Sequence, residues 1–434
     1  MDGRSPAHGN ESLVVFSTKP RLFRVLGPGL ITGASDDDPS GIATYSQAGA
    51  QFGFAITWTL LFTYPLMAAI QEISGRIGRT TGRGIAGNIS HHYPKWTLQS
   101  IVALLLVANI VNIGADLGAM GDAVELLIGG SRATYVALFG LLCALLQVFL
   151  QYSRFVVILK WLTLSLFAYF GTVLAVKVPW IEVMRGFLVP TFSADTSFWT
   201  TVVAILGTTI SPYLFFWQAS QEVEDIHAVP EREALVQAPE QGEDAEARIA
   251  IDTYVGMAFS NIVALAIMVT TATTLHVHGT TDIQTSRDAT EALRPVAGNF
   301  AFVLFALGII GTGLLAVPVL AGSASYALAE ARKWPAGLAR RPLEAKAFYA
   351  AVVVATLAGI GINVSPLDPV KALFWSAVIN GVVAVPVMAM MMLISSNQKI
   401  MGRFTVRGGR RIVGWLATTV MAAAAIGMAA AAMR

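Results

Sequence analysis

The stretch Gly33-Ala34-Ser35-Asp36-Asp37-Asp38-Pro39-Ser40-Gly41 lies in the middle of a long apolar segment, 24–50. Each aspartate at the centre of a membrane helix costs about 2.5–3.5 kcal/mol on insertion scales. Pro39 removes a backbone donor and cannot sit in a regular helix interior. Ser40 and Gly41 beside it favour local unwinding. Unwound backbone at membrane depth is tolerated only where it is buried in protein or lines a cavity. Carbonyls freed there can bind a cation. The pattern therefore predicts a transmembrane helix broken at a functional site. Consecutive helical residues diverge by about 100°, so the three acids cannot all line one site. Asp38 abuts the break and is the expected ligand. Asp37 is the next candidate, and Asp36 or Asp37 serves a vestibule or pairs elsewhere.

The rest of the chain supports a membrane setting. Of 434 residues, 55% are hydrophobic and only 13% are charged, against roughly 25% charged in soluble proteins. Mean hydropathy is +0.63. A helix needs about 20 apolar residues to cross a bilayer. The expected spans are 24–50, 55–77, 97–128, 133–152, 155–177, 198–221, 250–276, 298–328, 346–363, 369–395 and 411–433, about eleven in all. The reading is an all-α integral membrane protein with the lipid bilayer as its surroundings. The first twenty residues lack a long apolar run, so no cleavable signal peptide is expected. The lone cysteine, Cys143, excludes a disulfide framework. A net charge of +2 gives no case for nucleic acid binding.

Basic residues alternate between the loops. Arg4, Lys19, Arg21 and Arg24 precede the first span, making 1–23 a cytoplasmic N-terminal segment. Arg76, Arg79, Arg83 and Lys95 follow the second span. Arg332, Lys333, Arg340, Arg341 and Lys346 follow the eighth, and Lys399, Arg403, Arg407, Arg410 and Arg411 the tenth. The intervening loops are nearly free of Lys and Arg, so the N-terminus is expected in the cytoplasm of a multi-pass cell-membrane protein. The loop 222–249 departs from this pattern. From Glu222 to Arg248 it holds nine acidic residues against Arg232 and Arg248. Its composition predicts a solvated, partly disordered loop.

A second break matches the first. Span six contains Gly207-Thr208-Thr209-Ile210-Ser211-Pro212-Tyr213, with proline again among small polar residues. Interrupted segments at matching positions in two halves are the sequence pointer to a transporter site built on inverted repeats. The expected transporter core is 24–395, with repeat one at 24–177, repeat two at 198–395, and 411–433 as an additional helix. Span three adds Asn109, Asn112 and Asp116 on one helix face. They serve either interhelical hydrogen bonding or an ion or proton route. His276 and His278 look opportunistic as metal ligands. No phosphate-binding loop, zinc-hydrolase motif or nucleophile elbow is present, which argues against an enzyme. No cofactor is expected; the metal ion is the substrate.

At these positions the sequence resembles the Nramp (natural resistance-associated macrophage protein) family of divalent metal transporters. Gly27-Pro28-Gly29-Leu30 through Asp38-Pro39-Ser40-Gly41 to Gln47-Ala48-Gly49-Ala50-Gln51-Phe52-Gly53 matches the family's first helix. The resemblance implies a LeuT-like fold with two inverted five-helix repeats and broken helices one and six. It also implies ligands at Asp38, at the Thr208 carbonyl and at Ser211, which replaces the family's methionine. Gly41 replaces an asparagine ligand, leaving room for water, with Ser40 beside it. Tyr213 replaces a histidine of the proton machinery. Asp116 matches the first member of an acidic pair, and Ala119 replaces the second. The pattern is similar to the divergent Nramp-related branch that includes magnesium transporters. Oxygen donors suit Mg²⁺ and Mn²⁺ where thioethers select softer metals. The expectation is import of partly hydrated Mg²⁺, with Mn²⁺ second, weakly or not coupled to protons along Asp116, Asn112 and Tyr213. The alternatives are a proton-coupled Mn²⁺/Fe²⁺ importer, an organic-solute carrier, and a non-transporting metal sensor that uses the acidic loop.

Overall fold

A computed structural model describes residues 32, 33, 35–149, 170, 171, 173, 174, 176–283, 285–291, 298, 301–363 and 368–433. Among them every regular element is helical. In chain order they are α1 (Pro39–Phe52), α2 (Trp58–Thr81), α3 (Ile85–His92), α4 (Lys95–Ile128), α5 (Arg132–Phe149), α6 (Trp180–Leu188), α7 (Thr196–Thr209) and α8 (Pro212–Ala228). There follow α9 (Gly242–Thr274), α10 (Ser286–Glu291), α11 (Ala301–Arg332), α12 (Lys346–Ile362), α13 (Pro369–Ser395), α14 (Gln398–Met401) and α15 (Gly408–Ala432). Seven helices among the described residues are long and apolar enough to cross a membrane. The count is eight if Pro39–Ile56 and Trp58–Thr81, which meet at 110°, form one bent span. Most of the expected fifth span, 155–177, and the whole 1–23 segment lie outside the described residues, so eleven spans are not counted here. The final Ala-rich segment is helical over Gly408–Ala432, with most of its surface outward.

The two expected breaks are present. Residues 35 and 36 are helical, Asp37 is a bend, Asp38 is extended, and α1 begins at Pro39. Ile210 and Ser211 separate α7 from α8, which begins at Pro212. Both prolines occupy the first turn of a new helix, where the missing N–H has no intrahelical partner to lose. They start helices rather than kink them. Pro369 does the same for α13, whose cap Asp368 accepts from Val370 N at 2.9 Å and Lys371 N at 3.3 Å.

Packing around the breaks depends on glycine. A Cβ on Gly207 of α7 would overlap the Ala377 carbonyl and the Gly381 backbone of α13. The α7–α8 segment is enclosed almost throughout, whereas α5 and α15 lie at the periphery. α1 packs on α9 and α13, and α4 packs on α11, α12 and α13.

The acidic segment is ordered, contrary to its composition. α8 runs through Ala228 and α9 begins at Gly242, leaving a connection of only thirteen residues, 229–241. Leu235 N and Val236 N donate to the Arg79 and Thr80 carbonyls of α2, and Leu235 and Ala238 are buried. Four of its acids have partners, while Glu231, Glu233, Glu240, Glu243 and Asp244 are exposed as expected. Glu222 meets Arg248, Glu246 meets Arg76, and Asp225 accepts from Arg232 at 2.9 Å. Glu224 accepts from Tyr326 at 2.8 Å and from Leu338 N at 3.1 Å. Arg232 and Arg248 within the segment, with Arg76 and Tyr326 from other elements, supply these partners.

Overpacking a tight helix contact costs about 1–3 kcal/mol. Gly207→Leu should therefore lower the melting temperature of the purified protein and its yield of monodisperse material. Gly409→Leu, where nothing lies within 4 Å, should leave both unchanged.

Candidate metal site

Asp38 is the centre of the site. Its extended backbone places the carboxylate over the first turn of α1. There Oδ1 accepts from Gly41 N at 2.7 Å and from Ser40 Oγ at 2.6 Å. Oδ2 turns the other way. It accepts from Asn112 Nδ2 of α4 at 2.9 Å, and the Tyr213 hydroxyl of α8 lies at 3.3 Å. That hydroxyl donates its proton at 2.8 Å to the Ser35 carbonyl, so it adds little to Oδ2. Asn112 is oriented in turn by Ser376 of α13, whose Oγ donates to Oδ1 at 2.7 Å. An ionised carboxylate offers about four acceptor positions. A cation reaching Asp38 does so at Oδ2, beside Asn112 and in place of the distant Tyr213.

The facing break supplies further oxygens. Ser211 Oγ donates to the Gly207 and Thr208 carbonyls at 2.7 and 2.8 Å. Its proton thus points into α7, and its lone pairs remain available. Thr208 Oγ1 is buried without a hydrogen-bond partner. It lies 3.0 Å from where a Cβ on Gly41 would stand, with the Asp36 carbonyl at 3.1 Å and the Tyr45 ring at 3.4 Å. Gly41 therefore leaves no void. The volume expected for water is filled by Thr208 and Tyr45, and glycine is what allows α7 to close against α1.

The other expected residues divide. Asp37 does not join Asp38: with Asp36 it turns to Ser260 of α9, whose Oγ lies 2.7 Å from Asp36 Oδ2 and 3.2 Å from Asp37 Oδ1. Asp116 lies one turn beyond Asn112. It is fully buried, and neither oxygen has a hydrogen-bond partner among the described residues, although it faces the Ser40 amide and feels the charge of Asp38. Asn109 donates to the Leu320 carbonyl at 2.9 Å and to Ser323 Oγ at 2.7 Å, a tie between α4 and α11. The stripe on α4 thus serves two purposes. His276 and His278 bond the Ala50 and Thr274 carbonyls. Among the described residues no three His, Cys, Asp or Glu side chains converge as a metal cluster.

Ser260, Ser376, Tyr45 and the fully buried, unpartnered Asn380 were not singled out in the sequence. The available signal was an isolated polar side chain inside an apolar span, which is too common to be specific. A crevice of about 550 Å³ opens beside the C-terminal half of α1. Ala43, Gln47, Thr200, Thr201, Val370 and Phe374 are among its lining residues. Gln47 ties α1 to the segment 281–283 there, accepting from Ile283 N at 2.8 Å. At the basic end, Arg76 and Arg248 make ion pairs with Glu246 and Glu222, and Arg410 lies 3.0 Å from Glu72.

The family model described as "Natural resistance-associated macrophage protein-like" matches residues 29–431. The chain is 27% identical to the divalent metal cation transporter MntH of Yersinia enterocolitica over 314 residues, 69% of this chain and 72% of that protein. It is 25% identical to MntH of Klebsiella pneumoniae strain 342 over 408 residues, 92% and 91% of the two chains. In three dimensions it is similar to the manganese transporter of Eremococcus coleocola, solved in complex with an aromatic bis-isothiourea compound. The TM-score is 0.73 at 14% identity, covering 95% of this chain and 88% of that one. Mhp1, a nucleobase-cation-symport-1 family transporter, gives a TM-score of 0.56 at 14% identity, covering 94% and 92%. The fold is accordingly LeuT-like.

Partners that orient a metal ligand are worth about 10–100-fold in affinity or activity. Asn112→Ala removes the donor that fixes Asp38 Oδ2, and it should weaken divalent-cation binding by roughly that factor. Calorimetric titration of the purified variant checks this, and a melting temperature within a few degrees of the parent shows that the fold is intact.

Proposed function

Because the chain belongs to the Nramp family, whose members are metal transporters and not enzymes, we propose that it imports Mg²⁺, with Mn²⁺ as a second substrate, by alternating access around Asp38. The observation that carries this reading is the donor set. Asp38 stands at one helix break, the Thr208 carbonyl and the Ser211 hydroxyl stand at the other, and all are hard oxygen donors. No thioether or imidazole hydrogen-bonds Asp38 or Ser211 among the described residues. Oxygen sites suit Mg²⁺ and Mn²⁺, and Mg²⁺ binds through one or two carboxylates while keeping several waters.

The same reading places 1–23 and the basic loops in the cytoplasm, the repeats at 24–177 and 198–395, and 411–433 outside the ten-helix core. Import then runs from the open crevice past Ala43 to Asp38, and inward as the basic-end ion pairs part. The membrane potential contributes about 4.6 kcal/mol for a divalent ion at 100 mV, so a proton gradient is not required. Ala119 cannot titrate, and Tyr213 is bonded to a backbone carbonyl. The route Asp116–Asn112–Tyr213 is therefore a poor relay, and coupling is weak or absent. A proton-coupled Mn²⁺/Fe²⁺ importer is the second reading. It is favoured by the unpartnered Asp116 carboxylate and by the manganese transporter among the structural relatives. A non-transporting sensor would show binding without flux.

In proteoliposomes with an imposed inward-negative potential, the parent should take up Mg²⁺ and Mn²⁺. Asp38→Asn should reduce both to background while remaining folded, and Asp37→Asn should be milder. Normal uptake by Asp38→Asn would remove this site from the mechanism. At clamped voltage, internal pH should stay constant during uptake. Acidification that depends on Mg²⁺ or Mn²⁺ would establish the proton-coupled reading instead.

A further inference from the structure

The foot of the α4–α11 pair carries a groove that the metal site does not use. It measures about 420 Å³ and lies at the basic end, between the first turns of α4, the last turn of α11 and Ser90 of α3. Its mouth is cationic. Lys95, Arg332 and Lys333 line it, with Ser90 and Gln99 as neutral hydrogen-bonding groups. No acid is among its lining residues, and among the described residues no carboxylate pairs with any of the three cations. Glu330, two residues before Arg332, is taken up at the start of α3, where the Gly84 and Gly87 amides donate to it at 2.8 Å each.

Behind the mouth the lining turns apolar. Lys95, Leu98, Val102 and Leu106 recur at three- or four-residue intervals on one face of α4, and Leu328 and Ala331 meet them from α11. From Lys95 to Leu106 the helix rises about 16 Å at 1.5 Å per residue. That is about one leaflet of a hydrocarbon core roughly 30 Å thick. Two further observations set the mouth at the membrane surface. Trp96 and Trp334, each adjoining one of the cations, are 69% and 40% exposed, and tryptophan at helix ends anchors at the headgroup level. Lys333 is the one residue other than glycine with a positive φ, 58°, among the described residues. It follows α11 in the left-handed conformation that glycine adopts at least cost. A lysine in that position brings a third cation to the mouth.

We infer that this groove holds one anionic phospholipid of the leaflet at the basic end, its phosphate between Lys95, Arg332 and Lys333 and an acyl chain along Leu98, Val102 and Leu106. Charge complementarity selects the headgroup, and an apolar lining one leaflet deep selects the tail. Such a lipid would brace the helix that carries Asn112. The inference rests on the membrane setting and not on which metal is carried.

Native mass spectrometry of the full-length chain in detergent tests this, with dioleoyl phosphatidylglycerol, dioleoyl phosphatidylcholine or glycerol 1-phosphate added. The parent should hold one phosphatidylglycerol at least about tenfold more tightly than phosphatidylcholine, since each cation near an anionic headgroup adds about fivefold. It should not retain glycerol phosphate. Lys95→Gln/Arg332→Gln/Lys333→Gln should remove the preference, whereas Lys399→Gln, at the basic end but outside the groove, should keep it. Ala103→Trp fills the groove without changing its charge and should weaken phosphatidylglycerol by a similar factor. All five positions are exposed, so the variants should melt near the parent temperature. Equal retention of the two lipids overturns the inference, as does a preference that survives the triple variant or that Lys399→Gln removes. So do unchanged binding in Ala103→Trp and retention of glycerol phosphate on the same cations.

Discussion

The carboxylate of Asp38 is the joint on which the centre of the molecule depends. One oxygen caps α1 through the Gly41 amide, and the other is held by Asn112 of α4 beside Tyr213 of α8. A single side chain therefore ends the break, starts the next helix and ties together elements from both halves of the chain. Capping alone is worth about 0.5–2 kcal/mol. The cross-helix bond adds position more than energy, because Asn112 is itself fixed by Ser376 of α13. A ligand oriented this way needs little rearrangement to receive an ion.

Much of this was legible in the sequence because the constraint is severe. Charge and proline inside apolar spans have few structural solutions, and both breaks lie where Pro39 and Pro212 placed them. The resemblance to a family brought Thr208, Ser211, Asn112 and Tyr213 into view; Asn112 and Tyr213 lie against Asp38, and Thr208 lies beside Gly41. What remained hidden was partnership across the chain. Nothing near Asp37 in sequence says that it turns to Ser260, more than two hundred residues away. The stretch around Glu231 is solvated as its composition says, but its ends are tied down by Arg76 and Arg79 of α2, which bond Glu246 and the Glu233 carbonyl. Gly41 looked like added room because a missing side chain says nothing about Thr208 and Tyr45, which fill the space.

The two ends of the path are built differently. The crevice is flanked by Gln47, threonines and apolar side chains, with Asp282 and Lys371 also in its lining. Toward the basic end, paired charges are shared among α2, α8, α9 and α15. Partly exposed ion pairs are screened within about 10 Å at 0.1 M ionic strength, so salt weakens the contacts at the basic end.

α9 is continuous from Gly242 to Thr274, and it carries both Arg248, paired with Glu222, and Ser260, under the aspartates. Twelve residues of helix separate the two, about 18 Å at 1.5 Å per residue. A helix of that length behaves as a lever. Any tilt that draws Arg248 away from Glu222 also carries Ser260 relative to Asp36 and Asp37. Unlatching the basic end and loosening the grip on two buried acids are therefore one mechanical event, transmitted along a single rod.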